Sequence, residues 1–364
     1  MENVYFDYNA TAPLRPRVIE AMREAMDIIG NPSSIHAPGR QARKVIEKSR
    51  DTIKKILRAE ACKIIFTSSG TEANNLALLG KKYSGYFISA IEHDSVRMAV
   101  PQALLIPVNI FGQIDLDFFE QKIKTLPAGS LVSVMLANNE TGVIQPVPDV
   151  IKLAHNYGIL VHCDITQAVG RLDINYTNLN ADLLSFSGHK VGGPKGSGVL
   201  VMAPHLHLNS LMLGGGQESG YRAGTENLVA IAGLEAALLD SIENLKDQNR
   251  LQILRNLFEK KLDNLSSKIV IHGRQALRLS NTSCFSIPGI SSMTQIIHLD
   301  LAGIAVSAGS ACSSGKVKTS HVLNAMNVPE NLANSAIRVS MGWNSQEKDI
   351  EYFISVWSNL IKRF

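Results

Sequence analysis

Cysteine is scarce in this chain. Its 364 residues hold four, Cys62, Cys163, Cys284 and Cys312, and no two form a C-x-x-C pair. That count and spacing argue against a disulfide framework, a zinc site or a redox pair, so reduced thiols and no metal are expected. Long apolar runs are missing as well; none approaches the ~20 residues a membrane span needs. The opening "MENVYFDYNATAP" is acidic and poor in apolar residues. It does not read as a secretory signal, and the expected location is the cytoplasm. Neither G-x-x-x-x-G-K-[ST] nor G-x-G-x-x-G occurs, so nucleoside triphosphate and dinucleotide binding gain no support. An excess of one charge is absent too: 36 Lys and Arg stand against 32 Asp and Glu, a net +4. No basic stripe interleaves with aromatics, which argues against nucleic acid as a partner. There are no internal repeats and no low-complexity segments.

What remains is an ordinary globular composition, 45% apolar and 19% charged, on a chain long enough for two domains. Helical periodicity covers residues 15–29, with Val18, Met22, Ala25, Met26 and Ile29 on one face, and residues 43–57, with Ile46, Ile53 and Ile56. Short apolar runs predict strands at 63–66, 86–90, 131–136, 159–163, 183–186 and 198–202. Alternation of such strands with helices predicts a mostly parallel sheet covered on both faces. Beyond residue 228 the pattern changes. Residues 228–265 read as one long helix or two in series. Strands at 269–272, 281–287, 304–309 and 336–342 and helices at 293–301 and 346–362 follow, predicting a smaller α+β unit.

In an open parallel sheet, ligands bind beyond the carboxyl ends of the strands. Several polar residues fall there. "FTSSGTEANN" is strand, turn and helix, and the N–H groups around Gly70 and Thr71 suit a phosphate. A Ser/Thr helix cap with Glu72 as its partner explains the same residues. "VHCDITQAVG" puts Asp164 just past a strand with Gln167 after it; a helix cap is the competing reading. Asn139 in "ANNETG" reads equally as part of a turn. His93 in "AIEHDSV" reads equally as a structural histidine. Arg338 in "NSAIRVSMG" is suited to a carboxylate, or is a strand-surface charge. Lys190, in "SFSGHKVGGPKGSG", is harder to explain as a surface charge. It follows an apolar strand, with Ser187 and His189 beside it. A crowded amine has its neutral form favoured, which suits Schiff-base chemistry. An amine, a phosphate cup and a strand-end carboxylate together match the needs of pyridoxal phosphate (PLP). Cys312 stands among small residues in "AVSAGSACSSGKVKTSH", a context for an accessible nucleophile or for a silent thiol. The other three cysteines sit in apolar contexts and read as structural.

These segments together resemble the class V aminotransferase-fold family and, within it, the cysteine desulfurases of the NifS/IscS type. The resemblance covers nearly the whole chain. It is carried by "YFDYNATAP", "GNPSSIH", "FTSSGTEANN", "EH", "NNETG", "DITQAVG", "SFSGHK", "GPKGSG", "RAGTEN", "GSAC" and "IRVSMG", in that order. It implies the PLP-dependent transferase (aspartate aminotransferase-like) fold: an α/β architecture with a seven-stranded, mostly parallel sheet in a large domain, 13–245. A smaller α+β domain, 1–12 and 246–364, would carry the nucleophile. It also implies roles. Lys190 joins the PLP aldehyde, Asp164 pairs with the ring nitrogen, and Gln167 bonds the ring's phenolic oxygen. His93 stacks on the ring and moves protons. Gly70, Thr71, Ser187 and His189 hold the phosphate, and Thr225 reaches the phosphate of the neighbouring subunit in a homodimer. Asn31, Asn139 and Arg338 hold the substrate. Cys312 takes sulfur from L-cysteine as a persulfide, leaving alanine, and passes it to an acceptor protein for iron–sulfur clusters or other thio-cofactors. "GSACSSGKVKTSHVL" matches the longer cysteine loop of this group. The sequence ends at "SVWSNLIKRF", without the extension through which housekeeping relatives dock a scaffold protein, so docking by that route is not expected. Selenocysteine lyase, another PLP transaminase or lyase, and a non-catalytic assembly partner remain the alternatives.

Overall fold

The computed structural model describes residues 3–308 and 319–363. Thirteen strands are found among them: β1 (Val4–Tyr5), β2 (Lys63–Thr67), β3 (Tyr86–Ser89), β4 (Leu104–Ile106), β5 (Leu131–Ser133), β6 (Leu160–Asp164), β7 (Leu183–Ser187), β8 (Gly198–Met202), β9 (Val270–His272), β10 (Thr282–Ser286), β11 (Ile304–Ala305), β12 (Ser307–Ala308) and β13 (Ile337–Ser340). Seven form one sheet in the order β2-β8-β7-β6-β5-β3-β4. Its pairs are parallel except those of β8, which runs against both neighbours. The strands β5 to β8 are buried along nearly their whole length, which is why they read as continuous apolar runs rather than alternating ones.

Helices cover the sheet. Ala37–Leu57 turns Gly39, Ala42, Ile46, Ser49, Ile53 and Leu57 inward at three- and four-residue spacing. It starts six residues before the periodic run predicted at 43. The Pro-Gly pair at 38–39 looks like a breaker, but Pro is tolerated in a first turn, and the His36 ring caps the Gly39 N–H. The 228–265 stretch is two helices, Leu228–Glu243 and Asp247–Leu265. The run predicted as one strand at 304–309 is divided: β11 pairs with β1, whereas β12 pairs with β13 in the sheet β12-β13-β10-β9.

Two large cores result. One lies on the helix-covered sheet and includes Phe66, Phe87, Phe119 and Phe186. The other gathers Val4 and Phe6 with Phe258, Phe285, Phe353 and Trp357. The short helix His321–Ala325 comes late in the chain, yet Val322, Leu323 and Met326 pack into the first core. Because β2, β3, β5, β6 and β7 are parallel, Thr67, Ser89, Ser133, Asp164 and Ser187 end on one edge of the sheet, and the turns that follow share one rim.

Candidate active site

A cavity of about 450 Å³ opens at that rim, lined in part by Asn9, Gly70, Thr71, His93, Asn139, Asp164, Gln167, Ser187, His189, Lys190 and Arg338. Each strand end contributes. After β2, Ser69 caps the helix Gly70–Leu79, its hydroxyl accepting the Glu72 N–H. Gly70 and Thr71 are in the first turn, so their N–H groups have no intrahelical acceptor. The close fit needs glycine. A Cβ on Gly70 would lie 3.2 Å from the Ser187 Cβ, and one on Gly198 would lie 2.3 Å from the Ser69 carbonyl carbon.

After β7, the backbone turns through a short 3-10 segment and sends the Lys190 amine to the carbonyls of Asn9 (2.8 Å) and Ala10 (2.6 Å). Burial, then the positive charges of Arg338 and Arg171, lower its pKa to about 8. The same residues that crowd the amine therefore make it a better nucleophile near neutral pH. His189 beside it has a buried Nδ1 with no partner. Its pKa falls to about 4, by burial and then by Lys190 and Lys195, so the ring is neutral.

After β6, Asp164 is buried and both its oxygens are taken by neutral donors: Asn74 Nδ2 at 2.9 Å and the Thr166 N–H at 2.8 Å. Asn74 also donates to Ser95 Oγ (2.8 Å) and accepts from the Ser185 hydroxyl. Ser185 is in turn bonded to His162, and His162 to Ser133. Burial holds His162 down to about 4, so this second buried ring is neutral as well. On the other side, the Ser95 N–H donates to His93 Nδ1 (3.1 Å), which places the proton of a neutral His93 on Nε2. Gln167 donates to the Asn9 carbonyl (3.0 Å) and accepts from Arg171.

The last wall comes from β13. Arg338 is ion-paired with Asp7 (2.7 Å) and donates to the Asn139 carbonyl (3.0 Å), while its Nε is buried without a partner. Two orphaned buried nitrogens, His189 Nδ1 and Arg338 Nε, thus belong to side chains on the walls of one cavity. Buried polar atoms without partners are uncommon in folded proteins, and these two mark places for polar groups of a ligand.

Two residues named from the sequence lie elsewhere. Asn31 is exposed and accepts from the Ser33 N–H (2.9 Å); Thr225 is exposed in the segment before the helix Leu228–Glu243. Neither lines this cavity. Cys312 lies outside the described residues. The other cysteines are buried, and burial pushes the thiols of Cys163 and Cys284 up, the latter to about 12, as structural thiols require. Sequence reasoning missed Asp7, Asn74 and Arg171. Asp7 stood in a quoted motif, "YFDYNATAP", but nothing local tied it to an arginine 331 residues away.

The aminotransferase class-V family model matches residues 4–353. The chain belongs to that family. It is 39% identical to the cysteine desulfurase IscS of Dictyoglomus turgidum over 375 residues, 99% of this chain and 95% of the relative. It is 36% identical to cysteine desulfurase IscS 1 of Archaeoglobus fulgidus, covering 99% of this chain and 97% of the relative. Among solved structures it is similar to a NifS-like protein from Rickettsia africae, with TM-score 0.93, 36% identity and coverage of 99% and 100%. It is also similar to SspA in complex with cysteine, with TM-score 0.79, 29% identity and coverage of 93% and 98%. Among the described residues, no helix of this class-V chain is long and apolar enough to cross a membrane.

Proposed function

We propose that this chain is a PLP-dependent cysteine desulfurase, converting L-cysteine to L-alanine and retaining the sulfur as a persulfide on Cys312. The observation that carries the reading is the depressed, buried Lys190 amine in one cavity with the Asp164 carboxylate and the half-satisfied Arg338 guanidinium. The orphaned His189 nitrogen and the first-turn N–H groups fit the cofactor's polar groups. Gly70, Thr71, Ser187 and His189 would hold its phosphate, Asp164 its ring nitrogen and Gln167 its phenolic oxygen, with His93 against the ring. When bound, PLP supplies an aldehyde for amines and a ring that spreads negative charge from the substrate Cα.

The chain's own groups do the rest. Arg338, through its free Nε, and Asn139 orient the substrate carboxylate; Asn31, outside this cavity, has no part in it. Lys190, once free, removes the Cα proton; a value near 8 lets it act as base and acid near neutral pH. His93 moves a proton through Nε2. The Cys312 thiolate attacks the substrate sulfur: an S–S bond forms as the Cβ–S bond breaks, and the carbon fragment keeps the electron pair, takes a proton and leaves as alanine. Cys312 is four residues from Ala308, which lines the cavity, and four residues reach at most ~14 Å.

Thr225 would serve the cavity of a second copy, in a cytoplasmic homodimer that passes sulfur to an acceptor protein. The chain divides into a large unit, 13–245, and a small one, 1–12 with 246–364. The test is direct. Purified protein has a visible absorbance band that borohydride bleaches and Lys190→Ala abolishes. L-cysteine with a reductant yields sulfide and alanine in equal amounts. Cys312→Ala stops this while the band persists; an undiminished rate in that variant would leave a transaminase or lyase as the better reading.

A further inference from the structure

Both described flanks of the Cys312 stretch are tied to the partners of one arginine. On the N-terminal flank, the Ser307 hydroxyl donates to Asp7 Oδ2 (2.9 Å), and the other oxygen of Asp7 accepts from Arg338. On the C-terminal flank, the Ser320 hydroxyl donates to Glu140 Oε2, and the residue before Glu140, Asn139, accepts Arg338 through its carbonyl. Ser320 is also the cap of the helix His321–Ala325, accepting the Leu323 N–H (3.1 Å). The next residue, His321, donates from Nε2 to the Glu92 carbonyl (2.9 Å), directly before His93. The helix so held packs Val322 and Leu323 into the first core.

Glu140 is an unusual choice of anchor. It is buried at 3% exposure, has no ion-pair partner among the described residues, and lies in "NNETG" with no part in the cavity wall. A carboxyl so placed is costly unless it does something a neutral acceptor cannot. We propose that Glu140 is a positioning residue for the sulfur-transfer step: through Ser320 it fixes the far end of the Cys312 stretch to the Asn139–Arg338 carboxylate clamp, as Asp7 fixes the near end through Ser307.

This deepens the desulfurase reading and rests on it for the roles of Cys312 and Arg338. Burial first of all raises Glu140 to about 7, opposed by Ser320 and by the charges facing it, Arg338 on β13 and Arg97 on the helix Asp94–Arg97, while Asp94 on that helix adds to the rise. Cys284 on β10 also faces it and is neutral at such pH. The Ser320 hydrogen bond is charge-assisted, hence stronger, once Glu140 ionises.

The experiment uses the holoenzyme and two readouts. Amide exchange of the peptide spanning 319–326, corrected for intrinsic rates, is measured at pH 6 and pH 8. Protection against local opening, in which Glu140 stays buried and loses only Ser320, rises about threefold or more at pH 8 in the wild type, and does not rise in Glu140→Gln or Ser320→Ala. Alanine formation from L-cysteine falls about tenfold or more in kcat for Ser320→Ala, with KM unchanged, and Ser320→Thr restores it. Glu140→Gln removes a step near pH 7 from the kcat profile. Exchange that is independent of pH in the wild type overturns the anchor, whatever the activity. The expected exchange with an unchanged kcat in Ser320→Ala overturns its part in transfer. Absence of desulfuration in the wild type, with the exchange pattern intact, strikes the desulfurase reading and the transfer role but leaves the anchor standing.

Discussion

The Lys190 amine offers the sharpest quantitative test. An ordinary lysine titrates at 10.5 and this one at about 8, with burial as the first cause and Arg338 and Arg171 next. The difference corresponds to about 3 kcal/mol disfavouring the charged form. At pH 7.5 an amine of pKa about 8 is roughly one-quarter neutral, whereas an ordinary one is about 0.1% neutral, a ratio of about two hundred in reactive amine. Cofactor-free protein labelled briefly with acetic anhydride across a pH series reports this directly, since only the neutral amine reacts. Mass spectrometry of the peptide carrying Lys190 gives its midpoint. The expected midpoint is near 8. Arg338→Gln removes the larger of the two charges and raises it, while burial and Arg171 keep it below the ordinary value. A midpoint at or above 10 in the wild type would refute the environment described, and no shift in Arg338→Gln would refute the electrostatic share.

Three further outcomes follow from single residues. Glu140→Gln stabilises the protein above pH 7. The unfolded chain releases this proton near the usual carboxylate value and the fold keeps it up to about 7, so stability falls as pH rises across that window. Glutamine does not titrate, and denaturant midpoints at pH 8 but not at pH 4 differ from wild type, by up to about 3 kcal/mol. Gly198→Ala drives a Cβ against the Ser69 carbonyl and destabilises by about 2–3 kcal/mol in urea, whereas Gly216→Ala, with open space around it, is near neutral. Asn74→Ala leaves one Asp164 oxygen and Ser95 without their shared donor; kcat falls about a hundredfold while urea stability drops by only about 1–3 kcal/mol.

What the sequence made legible was set by local chemistry. Buried parallel strands are mostly apolar, so polar residues at or just past their ends stand out, and Asp164, Ser187, His189, Lys190 and His93 were all visible that way, whereas His162 and Ser185 inside β6 and β7 were not. The strand Leu104–Ile106 was not, because it is three residues long at the sheet edge with Leu104 and Leu105 exposed. The helix start at Ala37 was hidden by a Pro-Gly pair whose tolerance depends on the His36 cap. Asn74 sits mid-helix, where asparagine carries no signal of its own. Its importance comes from β6 bringing Asp164 against it, 90 residues on. Arg171 similarly looks like a surface charge, yet it donates to the carbonyls of Tyr8, Gln167 and Lys190, joining three separate segments. Asn31 and Thr225 show the opposite case: their motifs were readable, but the fold does not bring them to this cavity.

The surroundings of Asp164 explain why the site is built on neutral donors. A buried carboxylate is usually paired with an arginine or lysine, and such a pair cancels most of its field. Here the nearby cations are engaged elsewhere: Arg338 with Asp7, Arg171 with carbonyls, and Lys190 with the carbonyls of Asn9 and Ala10. Asn74 and the Thr166 amide fix both oxygens without neutralising them, and Ser185 and the neutral His162 hold Asn74 in turn. The carboxylate therefore keeps its charge for a cation entering the cavity, at a position set by strand, helix and hydrogen bonds before that cation arrives. An arginine in place of Asn74 would satisfy the same oxygen and still disable the site, because the charge of Asp164 would already be paired within the protein and no longer offered to the cavity.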